Sequence, residues 1–209
     1  MSTIGRTSSI VLLHGAGSGP EVFAKWPAAF PGCRLIAVDM QAGLDASRAS
    51  MEDYRDVVER VVESLPRPRA LCGWSMGGLV AMMAAQRLDV DQLVLMEPSA
   101  PSEVQGTNDG VEMAIGTFDP QEVYGAFASA VTPRPESRFA RSQRKAGISI
   151  PTLPRCTLVV YGEEFRGSRG VDIVQRYGCE ALYVPGTTHL DLVLDARMPI
   201  LVADWLLRG

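Results

Sequence analysis

Two residue types in this chain can together make a nucleophile at neutral pH. Ser75 stands in Gly73-Trp74-Ser75-Met76-Gly77, and the chain holds two histidines, His14 and His189. A serine hydroxyl is a weak nucleophile until a neighbouring base takes its proton, and imidazole is the usual base. The flanks of the pentapeptide suit that task. Ala70-Leu71-Cys72 before it is short and apolar, like the end of a buried strand, and residues 78–85 after it are strong helix formers. A strand that runs through a sharp turn into a helix leaves the serine hydroxyl exposed, with the helix N-terminus beneath any negative charge that develops. The glycines two before and two after the serine let strand and helix approach closely.

Both histidines follow apolar runs. His14 opens His14-Gly15-Ala16-Gly17 directly after Ile10-Val11-Leu12-Leu13, and His189 closes Pro185-Gly186-Thr187-Thr188-His189 after Ala181-Leu182-Tyr183-Val184. Each lies just past the C-terminal end of a predicted strand, where catalytic groups gather in open parallel sheets. With these motifs in this order, over nearly its whole length, the chain resembles the α/β-hydrolase family. The resemblance implies that Ser75 is the nucleophile and His189 the general base. It implies an oxyanion hole from the backbone N–H groups of Ala16 and Met76, and a loop-shaping role for His14, its ring bonded to nearby backbone. It also implies the α/β-hydrolase fold, a mostly parallel sheet of about six strands flanked by helices, with a small helical cap and without the family's leading hairpin.

A third group is needed to hold the imidazole in its productive tautomer. By the resemblance it follows the strand after the cap, often as Gly-x-x-Asp. Here that strand, residues 157–161, is followed by Gly162-Glu163-Glu164-Phe165, and the acid position holds Phe165. Glu164 comes one residue early, but its extra methylene lets it reach; Glu163 is expected to point the other way. The rival is Glu97 in Leu95-Met96-Glu97-Pro98, which ends the preceding strand, a position some family members use. Both glutamates lie between Ser75 and His189, so chain order does not separate them. The reading favours Glu164, with Glu97 as the alternative acid and Asp172, in a predicted helix, third.

The elements that must position these groups alternate. Strands are predicted at 9–13, 34–38, before the serine motif, at 92–96, 158–161 and 182–184. A short helix begins at 21–26, behind Pro20. Residues 51–65 form an amphipathic helix with Tyr54, Val57, Val58, Val61, Val62 and Leu65 at spacings of three and four, behind the capping sequence Ser50-Met51-Glu52-Asp53. A last helix at 199–207 is read with Ile200, Leu201, Trp205 and Leu206 inward. Strands alternating with helices mean a parallel sheet covered on both faces. The stretch 98–155 breaks this rhythm, and it is longer than a crossover of roughly a dozen residues requires. The predicted organisation is therefore core at 1–97, a small cap or lid at 98–155, and core again at 156–209. Within the cap, 120–130 carries an apolar stripe of Val123, Tyr124, Phe127 and Val131, read either as the lid of an acyl pocket or as plain packing. Residues 136–146 form a helix with Arg138, Arg141, Arg144 and Lys145, read as a solvated face, although a substrate carboxylate or coenzyme A phosphate would also suit it.

At 209 residues, 46% hydrophobic and 21% charged, the chain fits one soluble α/β domain. A net charge of −4 argues against nucleic acid, apolar runs are too short to span a bilayer, and no signal peptide is read at the N-terminus. Cys33, Cys72, Cys156 and Cys179 lack metal-like spacing and are read as reduced thiols of a cytoplasmic protein. The expected activity is cleavage of a carboxylic ester or thioester of a small acyl substrate through an acyl-enzyme on Ser75, with no metal or organic cofactor. The alternatives are a lyase on the same scaffold, hydroxynitrile lyase-like or pyruvate-eliminating, or a ligand-binding protein with slow turnover.

Overall fold

The computed structural model describes residues 8–67 and 69–208. Six strands form one sheet: β1 (Ser9–Leu13), β2 (Arg34–Val38), β3 (Arg69–Trp74), β4 (Gln92–Met96), β7 (Thr157–Tyr161) and β8 (Glu180–Tyr183). Their order is β2-β1-β3-β4-β7-β8, and every neighbouring pair is parallel. The chain steps from β1 outward to β2 and then returns to the other side of β1 for β3. The order reverses there, so a crevice opens at the C-terminal ends of β1 and β3.

The apolar runs explain why the sheet is sandwiched. Val11, Leu13, Leu71, Leu93, Leu95 and Val159 belong to one buried cluster; Ile10, Leu12, Cys72, Val94, Met96, Leu158 and Val160 belong to another on the opposite face. This is the period-2 alternation of strands buried on both sides. The first cluster packs on α1 (Met51–Glu63) and α2 (Met76–Ala85). The second packs on two short 3-10 turns bearing Val22, Phe23 and Trp26 and on α8 (Arg197–Leu206). α1 starts where its capping sequence places it: Ser50 Oγ accepts from Asp53 N–H at 3.0 Å, and the Asp53 carboxylate accepts from Ser50 N–H at 2.8 Å. α8 buries Met198, Val202, Ala203, Trp205 and Leu206, and leaves Ile200 56% exposed on its opposite side, which corrects the inward reading of that residue.

The segment between β4 and β7 holds α3 (Ser102–Gln105), α4 (Pro120–Tyr124) and α5 (Arg138–Ala146), with a small antiparallel pair of β5 (Thr117–Phe118) and β6 (Glu136–Ser137). The helix predicted over 120–130 stops at Tyr124 because Gly125 takes a positive φ of 82° and ends it. After β7 come a π-helical turn at 167–171 and α6 (Asp172–Tyr177); α7 (Asp191–Leu194) follows His189.

Candidate active site

Ser75 sits between β3 and α2 with φ 55° and ψ −120°. A non-glycine residue in that region carries strain of about 1–3 kcal/mol and persists only where its surroundings hold it. Here Ser75 N–H donates to the Met96 carbonyl at 3.1 Å, and the Ser75 carbonyl accepts from Ser99 N–H at 2.8 Å. The flanking glycines are required by contact. A Cβ on Gly73 would lie 2.3 Å from the Gly77 carbonyl oxygen, and one on Gly77 would lie 2.3 Å from that of Leu13. Helix α2 is thus pressed onto both β3 and β1.

Met76 is the first residue of α2, so its N–H precedes the first intrahelical bond and is available to an anion. Ala16 follows β1 on the facing loop, and both residues line one cavity with Ser75. His14 shapes that loop from within. Its fully buried ring lies 2.9 Å from the Gly15 carbonyl through Nδ1, and Nε2 accepts from Met40 N–H at 3.2 Å. One nitrogen donates and the other accepts, and burial holds the pKa below the ordinary imidazole value, so the ring is neutral. The loop is also tied from the far segment. The buried Glu136 carboxylate accepts from Gly17 N–H at 3.1 Å, from Gln41 Nε2 at 3.2 Å, from Ser137 N–H at 3.0 Å and from the Tyr54 hydroxyl.

His189 lies across the cavity from this loop. Its Nδ1 is 2.7 Å from Oε2 of Glu97, a fully buried carboxylate whose Oε1 accepts from Gly162 N–H at 2.8 Å. Glu164, the residue favoured from sequence, instead accepts from the backbone N–H of His189 at 2.9 Å. The structure therefore brings the alternative, Glu97, to the imidazole and leaves Glu164 to fix the loop that carries it. The reason is local: Glu97 ends β4 with φ 38°, and the Gly162 N–H just past β7 fixes its carboxylate from the other side. Phe165 packs edge-on against the imidazole at 5.0 Å, with Trp74 at 5.0 Å on another side, while Trp74 Nε1 donates to the His189 carbonyl at 2.9 Å. Glu163 points away and takes the Tyr183 hydroxyl. Burial lowers the His189 pKa below its ordinary value; Glu97 opposes this and Arg169 adds to it. Arg169 Nη1 lies 3.5 Å from Nε2, and no hydrogen bond joins Ser75 Oγ to His189 among the described residues.

The cavity measures about 840 Å3. Its floor is Ala16, Ser75, Met76 and His189; Val123, Tyr124 and Phe127 from the long segment wall it, while Val131 is buried in the core. Arg141, Arg144, Lys145 and Arg169 also line it, against the one carboxylate Glu164. Arg144 is only 8% exposed, so the helix read as a solvated face turns one cation inward. Among the described residues there is no cluster of side chains suited to hold a metal ion.

The family model described as the alpha/beta hydrolase family matches residues 10–205. The chain belongs to the alpha/beta hydrolase family. Its relatives include the pimeloyl-[acyl-carrier protein] methyl ester esterase of Shewanella woodyi, 36% identical over 87 residues, which cover 42% of this chain and 34% of that protein. The protein of the same name from Aromatoleum aromaticum is 36% identical over 81 residues, 37% of this chain and 31% of that one. The matched stretch spans about a third of the length of these relatives. Among solved structures, polyneuridine aldehyde esterase superposes with a TM-score of 0.67 at 16% identity, covering 94% of this chain and 98% of that one, a likeness of fold.

Of the residues singled out from sequence, the chain thus gathers Ser75, His189, Glu164, Ala16 and Met76 around one cavity, with Glu97 buried directly behind His189. Asp172 heads α6 and does not line it. Sequence reasoning missed Arg169 and the inward turn of Arg144. Arg144 lies four residues after Ala140, which is fully buried, so the two share one helix face. Among the described residues no helix is long and apolar enough to cross a membrane.

Proposed function

We propose that this hydrolase cleaves a carboxylic ester or thioester of a small acyl substrate by way of an acyl-enzyme on Ser75. The observation that carries the reading is His189, on the same cavity as a serine held at positive φ, with the Glu97 carboxylate buried 2.7 Å behind it. The esterase names of the relatives support it.

In this mechanism Ser75 Oγ attacks the acyl carbonyl while His189 Nε2 accepts its proton. Glu97 holds the Nδ1 proton and stabilises the imidazolium that forms. The oxyanion is met by the N–H groups of Ala16 and Met76, each worth roughly 3–4 kcal/mol of transition-state stabilisation. His189 then protonates the leaving group, and a water activated by the same imidazole resolves the acyl-enzyme. Residues 98–155 act as a cap, with Tyr124 and Phe127 shielding the acyl chain from water.

The test is hydrolysis of p-nitrophenyl esters from acetyl to long acyl chains by wild type, Ser75→Ala and His189→Ala. Serine-dependent turnover that falls by several orders of magnitude in both variants, with the fold intact by circular dichroism, is expected. Unchanged turnover in either folded variant overturns the mechanism.

A further inference from the structure

Arg144 is a cation the proposed reaction does not use. Its guanidinium is buried, yet among the described residues no carboxylate lies within ion-pair distance of it. Its neighbours are weak acceptors: Nη1 lies 2.8 Å from Met76 Sδ and 3.5 Å from Met51 Sδ, and Nη2 lies 3.4 Å from the Tyr124 hydroxyl. Two thioether sulfurs and one long hydroxyl contact are weak partners for a guanidinium with five N–H donors. A desolvated charge normally finds a partner, because an unpaired one is costly. Arg144 also faces the cavity that holds Ser75, and the side chain it touches belongs to the residue after the nucleophile. Arg141 and Lys145 line the same cavity and add positive potential.

We propose that Arg144 is the anion subsite of this cavity, and that the substrate is a half-ester whose acyl chain ends in a free carboxylate. The proposal rests on the ester-hydrolysis reading above and names its substrate class. A planar guanidinium fork matches a carboxylate through two parallel N–H···O bonds. Because Arg144 abuts Met76, the carboxylate lies a short chain away from the carbonyl under attack. Hydrolysis of such a half-ester with water gives a dicarboxylate and an alcohol, and the second carboxylate forms at Ser75.

The experiment compares monomethyl glutarate with methyl 5-methylhexanoate, in which an uncharged isopropyl group replaces the carboxylate at equal chain length. Wild type is expected to favour the half-ester in kcat/KM by roughly 10- to 100-fold, the range of a charge-assisted pair in a desolvated site. Arg144→Met should collapse that ratio towards one, with Arg144→Lys between. A wild-type ratio near one, or a ratio that survives in Arg144→Met, overturns the proposal. Binding of glutarate to Ser75→Ala by calorimetry separates the two readings. If neither ester shows serine-dependent turnover, the hydrolysis reading falls, but saturable glutarate binding that is lost on adding Arg144→Met still supports the subsite. Absence of glutarate binding, or tighter binding of inorganic phosphate, refutes a carboxylate site. These wild-type and Ser75→Ala measurements decide the matter even if the Arg144 variants do not fold.

Discussion

Replacing Glu97 by glutamine tests the proposed triad at its most decisive contact. The substitution keeps size and shape, but the amide has one acceptor and one donor where the carboxylate has two acceptors. The Gly162 N–H, 2.8 Å from Oε1, needs an acceptor and so claims the amide oxygen. The amide NH2 then faces His189 Nδ1 at the position 2.7 Å away. Two donors cannot share that contact, so the ring must carry its proton on Nε2, the nitrogen that should receive the proton of Ser75. A wrong tautomer of this kind costs roughly 10^3- to 10^4-fold in kcat, about 4–5.5 kcal/mol of barrier. Glu164→Gln is the internal control. Its amide oxygen can still accept from His189 N–H, so the expected loss is under about tenfold. Both variants and wild type are assayed for kcat on one p-nitrophenyl ester, with melting temperatures to confirm folding. Near-wild-type turnover in E97Q, or a larger loss in E164Q, refutes the assignment of Glu97.

Because the His189 pKa is lowered, the base stays neutral to more acid pH than a free imidazole. The acid limb of kcat/KM should therefore have its midpoint below 6.5, and Arg169→Met should move it upward by removing a nearby positive charge; a midpoint above 6.5 in wild type contradicts this. Gly77→Ala forces a Cβ to 2.3 Å from the Leu13 carbonyl oxygen, and is expected to lower the melting temperature by more than about 5 °C or abolish soluble expression. Glu136→Ala strips the partners of Gly17 N–H, Ser137 N–H, Gln41 and the Tyr54 hydroxyl at once. A loss of about 2–4 kcal/mol in urea unfolding is expected, and a loss below about 0.5 kcal/mol would show that this carboxylate does not brace the loop.

The sheet and the helices beside it were legible because short apolar runs and one well-capped amphipathic helix leave little choice of period. β1, β2 and β4 fall where the runs lie, and α1 starts on Met51 directly after its Ser50 cap. That Ser75 and His189, the proposed nucleophile and base, share one cavity was legible for a different reason: few residue types can do such chemistry, and each stands just past a strand. The acid was not. Its choice depends on which carboxylate a loop aims at Nδ1, and chain order holds no such information. Phe165 in the expected acid position was a signal against an acid after β7, but the sequence reading still favoured Glu164; in the structure Phe165 packs edge-on against the imidazole. The segment 98–155 was harder still. Gly125 ends α4 early, and α5 turns Arg144 inward on the Ala140 face, where charge alone reads as solvation.

Strain links the two ends of the proposed triad. Among the described residues, Ser75 and Glu97 are the only non-glycine residues with positive φ. They follow adjacent strands, β3 and β4, and one hydrogen bond, Ser75 N–H to the Met96 carbonyl, joins the turn of one to the residue before the other. Glu97 N–H in turn donates to the Val160 carbonyl at 2.9 Å, which anchors it to β7. Ser75 and Glu97 are thereby fixed to the centre of the sheet, where the strain of about 1–3 kcal/mol at each is offset by strands buried on both faces. His189 alone comes from a loop, held between Trp74 and Phe165 and by Glu164 at its backbone. An acid drawn from that loop's own side of the sheet would move with the base. An acid drawn from β4 does not, so the imidazole is oriented by the strand next to the one that carries the serine. In this geometry, disturbing the His189 loop should cost turnover by misplacing the base alone, while the Ser75–Glu97 frame stays as the sheet sets it.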